Sequence, residues 1–240
     1  MSEQSLQDKV VIIVGASSGM GKATAVSFSK AGAKLVIAAR NEKALSDLSS
    51  ELSGDVIVFP ADARDVDAID RLIEKTIQSY GRIDTLIYAT GTNIPDRSLE
   101  KLTHETWEMM LAVNATGAFN CTKAVLPIMQ SQKDGLIIYI SSVSAKRADV
   151  SGVSYQASKH ALTGLAQGTY LEQKENGIRT SLIMPGLCDT PLVQQRPVPP
   201  SESELKKALQ AQDVADACLY VVAAPARVRV GELIMEPAGL

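Results

Sequence analysis

The 240-residue sequence predicts an α/β fold: a doubly wound, mostly parallel sheet of about seven strands with helices on both faces. Three observations carry that reading. Short, near-continuous apolar runs rich in Val and Ile recur along the chain, as strands covered on both faces of a parallel sheet do. Longer amphipathic stretches alternate with them, which implies right-handed βαβ crossovers. A glycine-rich turn joins the first apolar run to the first amphipathic stretch.

Taken in order, the first strand is 10–14, and the helix 21–31 follows the glycine turn. A strand at 35–38 precedes a helix at 42–52, and a strand at 56–59 precedes a helix at 66–80. The strand 85–88 leads to one long helix, 105–130, and the strand 136–140 to the helix 152–175. A strand at 181–184, helical stretches at 202–211 and 214–223, and a last strand at 232–235 complete the pattern. No linker, repeat or low-complexity tract interrupts it, and the Pro-rich 196–200 is short enough to be a surface loop. The expectation is one dinucleotide-binding and catalytic domain over 1–240.

Composition narrows the function classes. A net charge of −3 without a basic run gives no reason to expect a nucleic-acid partner. Cys121, Cys188 and Cys218 have neither zinc-ligand spacing nor a disulfide framework, so a reducing, cytoplasmic compartment is expected. With only His104 and His160, a His-based metal or triad site is not expected. The polar start (Ser2, Glu3, Gln4, Gln7, Asp8) does not read as a signal peptide. No apolar run approaches the ~18 residues needed to cross a bilayer, so no membrane partner is expected.

Gly15-Ala16-Ser17-Ser18-Gly19-Met20-Gly21 closes the first strand and opens the first helix. Glycines there permit positive φ and a close backbone approach to a pyrophosphate, which the helix N-terminus then favours. A plain glycine-rich turn is the bland alternative, but the position is the one used by dinucleotide-binding, Rossmann-type sheets. A Walker-type loop is excluded because Ala16 stands for its first glycine and Ala23 for its Ser/Thr. At the end of the second strand, Ala38-Ala39-Arg40-Asn41 lacks the acid that binds a ribose 2′-hydroxyl. Arg40 suits a 2′-phosphate, so the cofactor expected is NADP(H) rather than NAD(H).

Tyr155 and Lys159, four apart near a helix start, project to one side. Alone the pair reads equally as a solvated helix face. Ser142 closes a strand at the carboxyl edge, where open α/β sheets bind ligands, and Ser141 is a neighbour of equal chemistry. Asn114, in Val113-Asn114-Ala115-Thr116-Gly117, is a helix-unfavourable amide that alone would read as structural.

With these residues in hand, the chain resembles the short-chain dehydrogenase/reductase family along essentially its whole length. The resemblance is carried by the loop at Gly15, Asp62-Ala63, Asn114, Ser142, Tyr155 with Lys159, and Pro185-Gly186 followed by Thr190. It implies a catalytic tetrad of Asn114, Ser142, Tyr155 and Lys159, with Asn114 holding a proton-returning water and Lys159 binding the nicotinamide ribose. It implies further that Asp62 and Ala63 contact the adenine, that Gly91 borders the cofactor, and that Pro185, Gly186, Leu187 and Thr190 pass the nicotinamide. Three departures stand out: Val14 where Thr is usual, Tyr88-Ala89-Thr90-Gly91 where Asn-Asn-Ala-Gly is usual, and Ile234-Met235-Glu236-Pro237 near the end. The second removes a bracing amide that Thr90 or Asn93 could replace.

An ammonium beside a phenol favours phenolate, so Lys159 is expected to lower the pKa of Tyr155 from ~10. The reaction expected is NADPH-dependent reduction of a ketone or aldehyde, or secondary alcohol oxidation in reverse. The small-molecule pocket is drawn from 93–95, 143–153 and 187–200, with Ile94, Val143, Val150, Leu187, Leu192 and Val193 as apolar wall and Arg147 or Arg196 as possible anion anchors. Small residues on the Tyr155 helix (Ala157, Ser158, Ala161, Gly164, Ala166, Gly168) allow close helix approach, and the resemblance implies a homodimer or homotetramer. Two other readings stay open: a 3-oxoacyl carrier protein reductase and a non-catalytic dinucleotide-binding sensor.

Overall fold

The strands are Val10–Val14 (β1), Lys34–Ala39 (β2), Val56–Pro60 (β3), Thr85–Tyr88 (β4), Gly135–Ile140 (β5), Ile178–Pro185 (β6), Cys188–Asp189 (β7), Leu209–Gln210 (β8) and Glu232–Met235 (β9). Seven of them form one sheet in the order β3-β2-β1-β4-β5-β6-β9, and every pairing is parallel. The computed structural model describes residues 6–239; Ser2, Glu3 and Gln4, on which the reading of the N-terminus partly rested, lie outside the described residues.

Five consecutive apolar residues make β1 buried throughout, and its pleat divides them between two cores. Ile12 and Val14 face one side with Gly117–Gln132 (α5), Val66–Tyr80 (α3) and Val153–Gln173 (α6). Val11 and Ile13 face the other with Gly19–Lys30 (α1), Glu42–Glu51 (α2) and Ala211–Ala223 (α8). Strand order reverses at β1, so the loops after β1 and β4 diverge and open a crevice at the carboxyl edge. Among the described residues no helix is long and apolar enough to cross a membrane.

Two predicted helices are corrected. The stretch 105–130 is not one helix but His104–Leu111 (α4), a π-helical turn at Ala112–Thr116, and α5. The Tyr88 hydroxyl donates 2.5 Å to the Val113 carbonyl and draws it from regular helical bonding. Gly117 makes room for this, since a Cβ there would collide with the same hydroxyl. The helix predicted at 202–211 ends at Leu205 (Glu202–Leu205, α7), because the Leu209 N–H instead joins the Leu187 carbonyl at 3.0 Å and starts the β7–β8 pair.

Candidate active site

The turn between β1 and α1 is held tightly from beneath. Gly15 has φ +97°, its N–H donates to the Ala38 carbonyl at 2.7 Å, and a Cβ would stand 2.6 Å from the Thr90 nitrogen. Gly21 is buried against the Gly15 carbonyl. Ser18 caps α1 in extended conformation without a side-chain cap bond, and neither Ser17 nor Ser18 spends its hydroxyl on a described residue. The free N–H groups and positive dipole end of α1, with these two hydroxyls, make an anion-binding corner. Lys22 turns away and pairs with Glu51 at 2.8 Å, consistent with the loop not being of Walker type.

A cleft of about 260 Å³ runs along this corner. It is lined by Gly15, Ser17, Ser18, Gly19, Met20, Arg40, Asn41, Asp62, Ala63, Gly91, Tyr155, Lys159 and Thr190 among the residues expected to meet a cofactor. Gly21 lies under it. Pro185, Gly186 and Leu187 line instead an adjoining cavity of about 100 Å³, together with Ser142. At the far end of the cleft, Arg40 is exposed and makes no hydrogen bond or ion pair among the described residues. The side chain of Asn41 is committed to capping α2, accepting from the Ala44 N–H at 3.0 Å, so it contributes a wall rather than a free amide. Arg64, which sequence reasoning missed, grips Asp62 through Nε and Nη2 (2.6 Å for the shorter bond) and holds its carboxyl below the usual range. Two cations therefore face this end of the cleft.

Tyr155 is buried where the two cavities meet. It lies in the first turn of α6, whose buried face carries Ser154, Tyr155, Ser158, Lys159 and Leu162 in helical spacing. Lys159 Nζ donates to the Ile140 carbonyl at the end of β5 at 3.0 Å and lies 5.6 Å from the Tyr155 ring centre. A Cβ on Gly91 would come within 3.3 Å of that ammonium and press it aside by a few tenths of an ångström. Burial pushes the Tyr155 phenol up to about 12; Ser142, Arg196 and Arg97 oppose the rise and Asp149 adds to it. Burial also lowers Lys159 to about 8. In the protein alone the expected lowering by Lys159 is not what sets the phenol: burial raises it, and the groups that oppose the rise are Ser142, Arg196 and Arg97.

Of the two serines after β5, Ser142 faces the small cavity without the cleft, while Ser141 borders both and points its hydroxyl at the Lys159 carbonyl, 3.4 Å away. Ser142 Oγ donates to Ser144 Oγ at 3.0 Å, and Ser144 donates to Asp149 at 2.5 Å, a relay not foreseen. Asn114 reaches the cluster through structure rather than through either cavity. Its Oδ1 accepts from the Thr92 N–H at 2.7 Å, and its Nδ2 reaches the Thr92 carbonyl at 3.0 Å and Ser158 Oγ at 2.9 Å. The Asn114 side chain thereby braces the loop after β4 against α6. Asn93 adds a second brace, donating to the Ser151 carbonyl at 3.0 Å.

Val143, Leu187, Leu192 and Val193 line the small cavity as expected. Ile94 does not line it, and Val150 points to solvent, 77% exposed, because the loop at 146–150 turns outward before α6. Arg147 is spent on an ion pair with Glu236 and is not a free anchor, whereas Arg196 lines the cavity and is joined there by buried Arg97.

The family model of the short chain dehydrogenases matches residues 9–199. An uncharacterized oxidoreductase of Staphylococcus aureus (strain MW2) is 33% identical over 233 residues, covering 97% of this chain and 98% of that protein. One from Staphylococcus epidermidis (strain ATCC 35984) is 31% identical over 232 residues, with the same coverage. Among solved structures, levodione reductase superposes with a TM-score of 0.87 at 25% identity, over 95% of this chain and 96% of that one. The crystal structure of gox2181 gives 0.88 at 23% identity, over 98% and 96%, and bears on the fold alone.

Proposed function

This chain belongs to the short-chain dehydrogenase family, and from that premise we propose that it is an NADP(H)-dependent oxidoreductase that interconverts a ketone or aldehyde and its alcohol. The observation that supports this most is the place of Tyr155: its phenol stands between the two cavities, with Lys159 on the cleft side and Ser142 on the other. The likeness to a protein named levodione reductase supports the same direction of chemistry.

The residues of the cleft fit a dinucleotide. The α1 corner with Ser17 and Ser18 suits the pyrophosphate, and Arg40 with Arg64 suits a 2′-phosphate at the end of β2, where no acid favours a free 2′-hydroxyl. Lys159, kept clear by Gly91, is the donor for the nicotinamide ribose, and Thr190 closes over the corner near Gly19. A reduced nicotinamide held there would supply the hydride. Tyr155 gives its proton to the substrate oxygen. Ser142 turns its hydroxyl from Ser144 to that oxygen and orients it. Lys159 keeps a positive charge beside the phenol, which stabilises the tyrosinate left after transfer. Asn114 fixes the Thr92 loop and, through Ser158, the turn of α6 that bears Tyr155.

The open face of α6 at Gly164 and Gly168, where a Cβ would meet nothing within 4 Å, supports assembly as a homodimer or homotetramer. Three buried free thiols suit a reducing, cytoplasmic setting. A panel of ketones, aldehydes and oxoesters assayed by consumption of NADPH and NADH tests the proposal. Turnover of at least one carbonyl compound, faster with NADPH, is expected. Binding of NADPH with none of the panel reduced would overturn it in favour of a dinucleotide-binding sensor.

A further inference from the structure

We infer that the substrate is anionic: a short oxo acid whose carboxylate is held by Arg97 and Arg196 while its carbonyl meets Ser142 and Tyr155. The inference rests on the carbonyl-reductase reading and specifies its substrate class. Arg97 is only 6% exposed, yet it has no carboxylate partner among the described residues. Its Nε and Nη2 donate to the main-chain carbonyls of Ile94 and Gln195, both at 2.9 Å, and Nη1 donates to no described residue. Neutral carbonyls do not offset the cost of taking a guanidinium out of water; an anion does. Arg196, at the end of the 3₁₀ turn Pro191–Gln195, lines the same cavity; its N–H donates to the Val193 carbonyl, but its guanidinium makes no hydrogen bond or ion pair among the described residues, and Glu204 reaches it only through space.

The acid on this wall is Asp149, and both its oxygens are in use. One accepts from the Ser151 N–H at 2.8 Å, the other from the Ser144 hydroxyl at 2.5 Å. Two guanidinium groups thus face a cavity with one carboxylate that is already bonded. Burial and the repulsion of Arg196 both depress the basicity of Arg97, so the pair is held together against its own electrostatics. Both cations act on the Tyr155 phenol, which puts them within electrostatic reach of the reacting atoms. Arg97 is also anchored to the catalytic helix: Gly152, at φ +88°, lets the Arg97 carbonyl and stem pack where a Cβ would intrude at 2.6 Å. A planar guanidinium pair accepts a carboxylate or a phosphate alike, but a cavity of about 100 Å³ favours the smaller group on a short skeleton.

The test compares acetoacetate with methyl acetoacetate, which differ in charge at the carboxyl end. The expected kcat/KM ratio of acid to ester is at least ten in the wild type. It falls at least tenfold in Arg97→Met and in Arg196→Ala, and Arg97→Lys restores part of it; a role confined to stapling the two loops would not sort variants by charge. A ratio near one, or one unchanged in the variants while both compounds are reduced, overturns the inference and leaves the carbonyl-reductase reading intact. Calorimetric titration of butyrate, butyramide and inorganic phosphate into the NADP⁺-saturated protein decides the matter without turnover. Binding of butyrate alone, lost in the variants, supports the oxo acid; tighter binding of phosphate, or no preference for butyrate over butyramide, overturns it. If no carbonyl compound is reduced at all, it is the reductase reading that fails, and the titration still judges the anion site.

Discussion

Lys159 is an ammonium enclosed by protein, and its burial has a cost that pH can reveal. Its pKa falls from 10.5 to about 8 on folding, so the unfolded chain binds the extra proton between those values. The penalty is fully present below pH 8 and vanishes by about 10.5, an amount of order 3 kcal/mol. Lys159→Met removes it. The stability of the variant relative to wild type, read from urea midpoints, is therefore expected to decline as pH rises from 8 to 10.5; a constant difference would mean the lysine is not held as described. At the other end of the cleft, Arg40→Asp should raise the KM for NADPH at least tenfold, and an unchanged KM would remove Arg40 from the site. The place of Arg40 on the cleft was legible because it ends the second strand, where a dinucleotide sheet meets its ribose. Arg64 and Arg97 were not, since a surface arginine and a buried one look alike in sequence until the fold shows what surrounds them.

At the scale of elements, the joint between α4 and α5 carries the site. The π turn sets Asn114 against Thr92 and Ser158, and the Tyr88 hydroxyl holds it by the Val113 carbonyl. Tyr88→Phe keeps the packing but leaves a buried carbonyl without its donor, which costs about 1–3 kcal/mol. A lowered melting temperature, with reduced kcat as Asn114 loosens, is expected; full stability and full activity together would dismiss Tyr88 as a brace. Apolar periodicity runs straight through 105–130, and nothing local announces that a phenol 25 residues upstream will compete for one carbonyl. The other elements were readable because their apolar runs are buried, and boundaries moved by only a few residues; the start at Glu42, where Asn41 caps the helix, did not move. The helix at 202–211 was misjudged for a similar reason, since the pairing partner of Leu209 is far away at 187–188.

Across the whole molecule, chemistry and stability occupy opposite edges of the sheet. At the edge away from the cleft, Asp84 Oδ2 accepts from the Val10 N–H at 2.9 Å, and Arg82 and Lys9 close on the same carboxylate at 2.6 and 3.1 Å. Burial pushes that carboxyl up, but Arg82, Val10 and Lys9 together outweigh it and hold it below the usual carboxylate range. A depressed carboxyl stabilises the fold above its unfolded pKa, and the contribution is lost as pH falls through its lower folded value. Asp84→Asn should therefore cost about 2 kcal/mol at pH 7, flatten the acid limb of the stability curve, and leave the KM for NADPH unchanged. An altered KM would show that the two edges are coupled.

The account turns on Tyr155 as the proton donor, and the direct measurement is carbonyl reduction by Tyr155→Phe alongside NADPH binding by fluorescence. The account predicts binding within about threefold of wild type and a loss of at least 10²-fold in kcat/KM, in the range assigned to a positioned acid. Turnover near the wild-type rate in a variant that still binds NADPH would contradict it.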